Sequence, residues 1–108
     1  MRQITQNAVN AMLSNRSFNG SNTNVIFKAI RNDGTLPKGD HFLVMELFGN
    51  EIAAIDSKDN QLYITNAGWK SNTTKERLNA LPNVSIQQIN GIWYLNGTEW
   101  NGEWIAIK

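Results

Sequence analysis

Three Asn-Gly steps near the end of the chain, Asn90-Gly91, Asn96-Gly97 and Asn101-Gly102, constrain its fold more than any other feature. Asn-Gly suits a two-residue turn whose central residues need positive φ, so apolar runs on either side of it are driven into antiparallel pairing. The runs Val84 to Ile89, Ile92 to Leu95 and Glu103 to Ile107 are therefore expected to form a three-stranded meander. The steps recur at intervals of only six and five residues, far below the length of a solenoid unit, so they mark turns and not repeated modules.

The same reasoning extends upstream. HFLVMELF, His41 to Phe48, mixes aromatic and β-branched residues and is broken by Gly49 and Asn50, which makes it the strongest strand signal. Val25 to Ile30 alternates as a strand, and EIAAID and QLYIT pair as a hairpin through SKDN. NRSFNGSNTN reads as a loop anchored by Phe18. Two segments carry helical spacing. Thr5 to Leu13 places Ala8, Val9, Met12 and Leu13 on one stripe with Thr5 as N-cap. Thr73 followed by Glu76 matches a capping box, with Leu78 and Leu81 facing inward and Pro82 ending the run. The expected class is α+β, an antiparallel sheet of about five or six strands covered on one side by two short helices. A chain of 108 residues is expected to form one domain, 1–108.

Composition excludes several classes. Apolar residues make up 41% and charged residues 18%, with 16 asparagines supplying polarity, a folded composition unlike that of a charged disordered tail. No apolar run approaches the roughly 20 residues of a bilayer span, and MRQITQNAVNAML lacks the pattern of a cleaved leader. A cytoplasmic protein with no membrane partner is expected. Cysteine is absent, which removes disulfides, thiolate nucleophiles and cysteine metal sites. A formal charge of +1 leaves no bulk electrostatic footprint, so nucleic-acid binding would need a local patch.

The acids Asp33, Asp40, Glu46, Glu51, Asp56, Asp59, Glu99 and Glu103 match no metalloprotease, EF-hand or phosphate-loop spacing. Glu46 and Glu51 on consecutive strands, with His41, keep a metal-dependent nuclease as a third reading. An enzyme is not the expectation, and no catalytic residue, metal ligand or cofactor is assigned.

The candidate recognition surface lies in residues 65–82, TNAGWKSNTTKERLNALP. Early helix turns offer unpaired N–H groups to an anion, to which Lys70, Lys75 and Arg77 add charged donors. Ser71, Asn72 and Thr74 can hydrogen-bond the same ligand, while Trp69 can stack on a base or fill a partner's pocket. The competing reading is structural, with Thr73 as cap, Trp69 in the core and the cations solvated. Lys75 and Arg77, two positions apart, do not share a helix face. A second candidate surface is the C-terminal aromatic group of Trp93, Trp100 and Trp104, with Tyr94 pointing away from Trp93 in a regular strand. Two of these three Trp residues are expected to be structural.

The segments Phe48-Gly49-Asn50-Glu51-Ile52-Ala53, Asn66-Ala67-Gly68-Trp69, Thr73-Thr74-Lys75-Glu76-Arg77-Leu78-Asn79 and Gly91-Ile92-Trp93-Tyr94-Leu95, with Ser21-Asn22-Thr23-Asn24-Val25 upstream, carry a resemblance. The chain resembles a group of small uncharacterised bacteriophage and mobile-element proteins with an N-A-G-W and T-T-K-x-R-L-N pattern. That resemblance covers most of the chain and assigns no catalytic residue. It implies a phage accessory role in the host cell, interfering with a host or defence system, and the surface centred on Trp69 to Arg77 is expected to recognise a host protein or a protein–nucleic-acid complex. Direct nucleic-acid binding is the alternative.

Overall fold

A computed structural model describes residues 2–29, 41–56, 60–68 and 70–107. Trp69, Asp33, Asp40, Asp59 and the GTLPKGD turn lie outside the described residues. The chain runs α1 (Gln3–Leu13), β1 (Phe18–Asn19), β2 (Thr23–Ala29), β3 (His41–Leu47), β4 (Asn50–Asp56), β5 (Leu62–Ile64), α2 (Asn72–Asn79), β6 (Ile86–Ile89), β7 (Ile92–Leu95), β8 (Thr98–Glu99) and β9 (Ile105–Ile107). A six-stranded sheet has the order β1-β2-β3-β4-β5-β9, and a three-stranded sheet has the order β6-β7-β8. Every pairing is antiparallel. The expected α+β class, with two short helices on an antiparallel sheet, is the observed one.

Strand alternation gives the large sheet two unlike faces. Register pairs Val25↔Met45, Leu43↔Ile55 and Ala53↔Ile64 line the inner face. There they join Ala8, Val9 and Met12 of α1, Leu78 of α2 and Trp93 of the small sheet in the main core. The opposite face carries Lys28↔Phe42, Val44↔Ala54 and Glu46↔Glu51. Its smaller cluster consists of Phe42, Val44 and Ala54, with Tyr63 and Trp104 packed against it. A register shift between Met45 and Glu46 lets both Ile52 and Ala53 reach the main core.

The Asn-Gly steps divide into two kinds. Asn90 and Gly91 (φ 52° and 81°) and Asn96 and Gly97 (φ 50° and 88°) each supply the paired positive φ of a type I′ hairpin, joining β6–β7 and β7–β8. At the third step only Gly102 is left-handed, at φ 90°. The expected meander over 84–107 is thereby corrected. Its third strand is Thr98–Glu99, and the last run crosses to the large sheet, where Leu62 pairs with Ile107. Gly102 is the pivot: its carbonyl accepts from the Asn66 amide at 3.1 Å and from the Thr65 hydroxyl, and a Cβ there would overlap the Asn66 side chain.

Both expected caps are also corrected. Helix α1 begins at Gln3, so Thr5 is an interior residue, fully buried, and no side chain caps the start. Leu13 is 56% exposed, because a step of about 100° per residue carries it off the arc centred on Thr5, Ala8 and Met12. Helix α2 is capped by Ser71, whose hydroxyl accepts from the Thr74 amide at 3.1 Å. Thr73 sits inside the first turn, and the Glu76 carboxylate turns away from its own helix start.

Glu76 and Arg77 instead join the helices to the sheet. Arg77 is fully buried. Its guanidinium donates to Thr23 Oγ1 at 3.0 Å, Thr5 Oγ1 at 2.6 Å, Asn22 Oδ1 at 3.3 Å and the Glu76 carboxylate. Thr5 in turn donates to Glu76 Oε1 at 2.6 Å, and the Arg2 amide donates to Glu76 Oε2 at 3.4 Å. Burial alone would raise the Glu76 carboxyl, but Thr5, the Arg2 amide and the Arg77 charge together hold it below the usual glutamate value.

Two expectations follow for stability. Arg77→Lys keeps the charge but loses the planar fork that reaches three elements, and should destabilise by about 2–3 kcal/mol in denaturant unfolding. Because the folded-state pKa of Glu76 is depressed, its contribution is present above the ordinary value of about 4.5 and is lost as pH falls through the lower folded value. The stability difference between wild type and Glu76→Gln should therefore shrink as pH falls below that value, as measured by unfolding across an acid series.

Candidate functional site

The sequence-predicted surface divides on folding. Lys70, Ser71 and Asn72 are exposed at the start of α2. Thr74 is buried, and its hydroxyl lies 2.9 Å from that of Ser71. Lys75 is half-buried, donating to Gln88 Oε1 at 2.9 Å with its ammonium 6.0 Å from the Trp93 ring centroid. Arg77 is sealed in the interhelical network and presents nothing to solvent. The expected cluster of three surface cations thus loses Arg77, while Lys70 and the partly exposed Lys75 remain. Helix phase explains the division, since Thr74, Arg77 and Leu78 form the inward stripe of α2.

What the helix start does border is an apolar hollow of about 340 Å³. Ser71, Thr73 and Thr74 form one side, and Leu47, Phe48, Asn50 and Ile52 of the β3–β4 hairpin form the other, with Asn66 between them. The hairpin turn is unusual in its chemistry. Phe48 and Gly49, at φ 52° and 80°, occupy the two central positions that Asn-Gly fills in both small-sheet hairpins. A non-glycine residue in this region is disfavoured by contact of its Cβ with the backbone, and Asn tolerates it better than an aromatic residue does. Phe48 nonetheless sits there with 70% of its surface exposed. The sequence signal was the Phe-Gly-Asn order itself, but the expected break at Gly49-Asn50 hid the turn's true centre.

The C-terminal aromatics do not form one surface. Trp93 and Trp100 are buried, with ring centroids 6.3 Å apart, in the main core. Trp100 donates its indole N–H to the Glu103 carbonyl at 2.9 Å, whereas that of Trp93 makes no hydrogen bond among the described residues. Trp104 is half-buried on the other face of the sheet, where it packs on the Phe42, Val44 and Ala54 cluster. Strand alternation and the crossing at Gly102 separate the three rings.

Trp104 instead walls a larger cleft that the sequence did not reveal, about 830 Å³ in volume. Its lining draws Lys28, Glu46 and Glu51 from β2, β3 and β4, Asn50 and Gly49 from the hairpin, Thr65 to Gly68, and Asn101 to Glu103. Glu46 and Glu51, considered in the sequence as ion ligands, stand opposite one another in register and share the Lys28 ammonium, which lies 3.0 Å from Glu46 Oε2. Burial alone would lower the Lys28 pKa, but the hydrogen bonds and charges of Glu51 and Glu46 hold it above the ordinary lysine value. No group of three or more His, Cys, Asp or Glu that could hold a metal ion occurs among the described residues. No helix among the described residues is long and apolar enough to cross a membrane.

The family model described as Kyanoviridae Gp96 protein matches residues 1–106. No curated protein and no solved structure matches the chain.

The cap assignment can be tested directly. Ser71→Ala should cost about 1 kcal/mol through loss of the acceptor for the Thr74 amide, and Thr73→Ala distinctly less, in matched denaturant unfolding curves.

Proposed function

From a chain that belongs to the Kyanoviridae Gp96 family of phage proteins, we propose an accessory protein that acts without catalysis, by recognising a host protein in the infected cell. The recognition surface is the Phe48 hairpin tip together with the exposed start of α2. The observation that carries this reading is the aromatic residue at the turn. An exposed phenylalanine in left-handed backbone contributes neither turn propensity nor core packing. An aromatic ring that stands beside an apolar hollow has the anatomy of an interface anchor with a neighbouring receptor pocket. Ser71, Thr73 and Asn50 give that hollow polar groups at its margin, as interfaces commonly have, and Lys70 and Asn72 are exposed on either side of Ser71.

The distribution of charge favours protein over nucleic acid as the target. Phosphate recognition draws on clustered cations, but Arg77 is buried, which leaves Lys70 and the Gln88-bound Lys75, five residues apart, as the cations of this stretch. Trp69, singled out in the sequence for stacking, lies outside the described residues and carries no part of the argument.

The test is a Phe48→Asn variant, which places at the turn the residue used by the other two hairpins. It should be as stable as wild type or up to about 1 kcal/mol more stable, because Asn tolerates positive φ. A host protein captured by the wild-type chain after nuclease treatment, then purified and titrated, should lose at least about tenfold in affinity for this variant. Undiminished affinity would overturn the reading. Retention abolished by nuclease and steepened by low salt would assign the surface to nucleic acid instead.

A further inference from the structure

The open face of the large sheet holds a second site, which shares Asn50 and Asn66 with the Phe48 hollow and differs from it in chemistry. We propose that the cleft between Trp104, Asn66 and the Lys28, Glu46 and Glu51 cluster binds a neutral saccharide, with a pyranose ring laid against the Trp104 indole. The volume of about 830 Å³ lies within the ~300–1,000 Å³ range of small-molecule sites and accommodates more than one sugar ring.

The wall is built around the Asn66 side chain, which lies in the lining of the cleft. Asn66 is 3% exposed, and its Oδ1 accepts from the Gly68 amide at 2.8 Å, which fixes the orientation of the side-chain amide. Its NH2 group donates to no described residue. Close approach to Gly102, which also lines the cleft, is possible only because that residue lacks a Cβ. An amide donor that the fold itself does not use is available to an acceptor on a ligand.

The combination of groups selects the ligand class. Asn66 offers a donor, for which a bare ammonium or guanidinium has no acceptor. Glu46 and Glu51, with side chains 15% and 17% exposed, repel anions, and Glu103 in the same lining adds to that repulsion against the one cation, Lys28. A paired carboxylate has about four lone-pair positions, so the ion pair with Lys28 leaves Glu46 able to accept from a hydroxyl. Hydroxyl groups both donate and accept, and the C–H face of a pyranose is the apolar complement of an indole. A peptide held by its backbone is disfavoured, because β2, β3 and β4 are interior strands with no edge to extend.

The experiment titrates the full chain with uncharged mono- and oligosaccharides of glucose, galactose, mannose and N-acetylglucosamine, following the Trp104 indole N–H resonance and binding heat. At least one series should bind saturably with a Kd of about 1 mM or tighter. Asn66→Asp retains the acceptor for the Gly68 amide and removes the free donor, and should weaken binding at least about tenfold. Trp104→Ala should do the same, and the two variants together guard against a loss of fold in either, each being checked by thermal unfolding. Lys70→Ala, at the start of α2, should leave saccharide affinity unchanged. Absence of saturation up to tens of millimolar would overturn the proposal. So would equal affinity in the folded variants, or preferential binding of arginine or inorganic phosphate in the same titrations.

Discussion

The buried Arg77 guanidinium is the contact on which the rest of the arrangement depends. It is a fully desolvated cation whose partners come from α1, the β1–β2 connection and its own helix. An unpaired charge in that position would be strongly destabilising, so the three segments must arrive together with Thr5, Asn22, Thr23 and Glu76 in reach. Apolar contacts alone would allow the helices to slide across a sheet face lined by Val25, Leu43 and Met45. A planar fork with directional donors does not. The network therefore fixes where α2 starts, and with it the position of Ser71 beside the β3–β4 hairpin.

From that placement two different surfaces follow. On the helical side, the start of α2 and the Phe48 turn enclose a small apolar hollow. On the opposite side, the crossing at Gly102 brings Asn101 to Trp104 over the ends of β2, β3 and β4 and leaves a polar cleft. Asn66 contributes to both, standing on the segment that links β5 to α2. The two sites share a structural wall and differ in chemistry. One offers an exposed aromatic ring and apolar walls, the other offers carboxylates, amides and an indole. Local backbone rules are broken at the first, where Phe occupies the position that Asn fills in the small-sheet hairpins, and glycine is required at the second, where Gly102 passes against the Asn66 side chain. Such departures concentrate where a chain serves something besides its own folding.

Much of the architecture was written locally. The strands His41–Leu47 and Asn50–Asp56, the first Asn-Gly hairpin of the small sheet and the helix before Pro82 were legible, because turn residues and side-chain alternation act between near neighbours. The residues of the two proposed sites were legible only in part. Ser71 and Trp104 appeared among the sequence candidates, but Phe48 was read as the end of a strand, and Asn66, Lys28 and Glu46 were never joined as one site. Arg77 was read as a surface cation because its spacing from Lys75 shows only that the two diverge, and not which of them turns inward.

What the sequence determined by itself is therefore most of the elements, the two-residue strands Phe18–Asn19 and Thr98–Glu99 excepted, with their antiparallel character and the α+β class, since φ preferences and the period of apolar residues belong to short segments. Tertiary structure alone decided which element paired with which across long separations. It sent Ile105–Ile107 to β5 instead of into the small sheet, and gave Thr5 to Arg77 instead of to a helix cap. It also placed Trp93 and Trp104 on opposite sides of the fold. The physical reason is that a buried cation, a glycine that must pass beneath an asparagine and a hollow between two turns are each satisfied by groups far apart in the chain. No local pattern encodes which distant partner closes the contact.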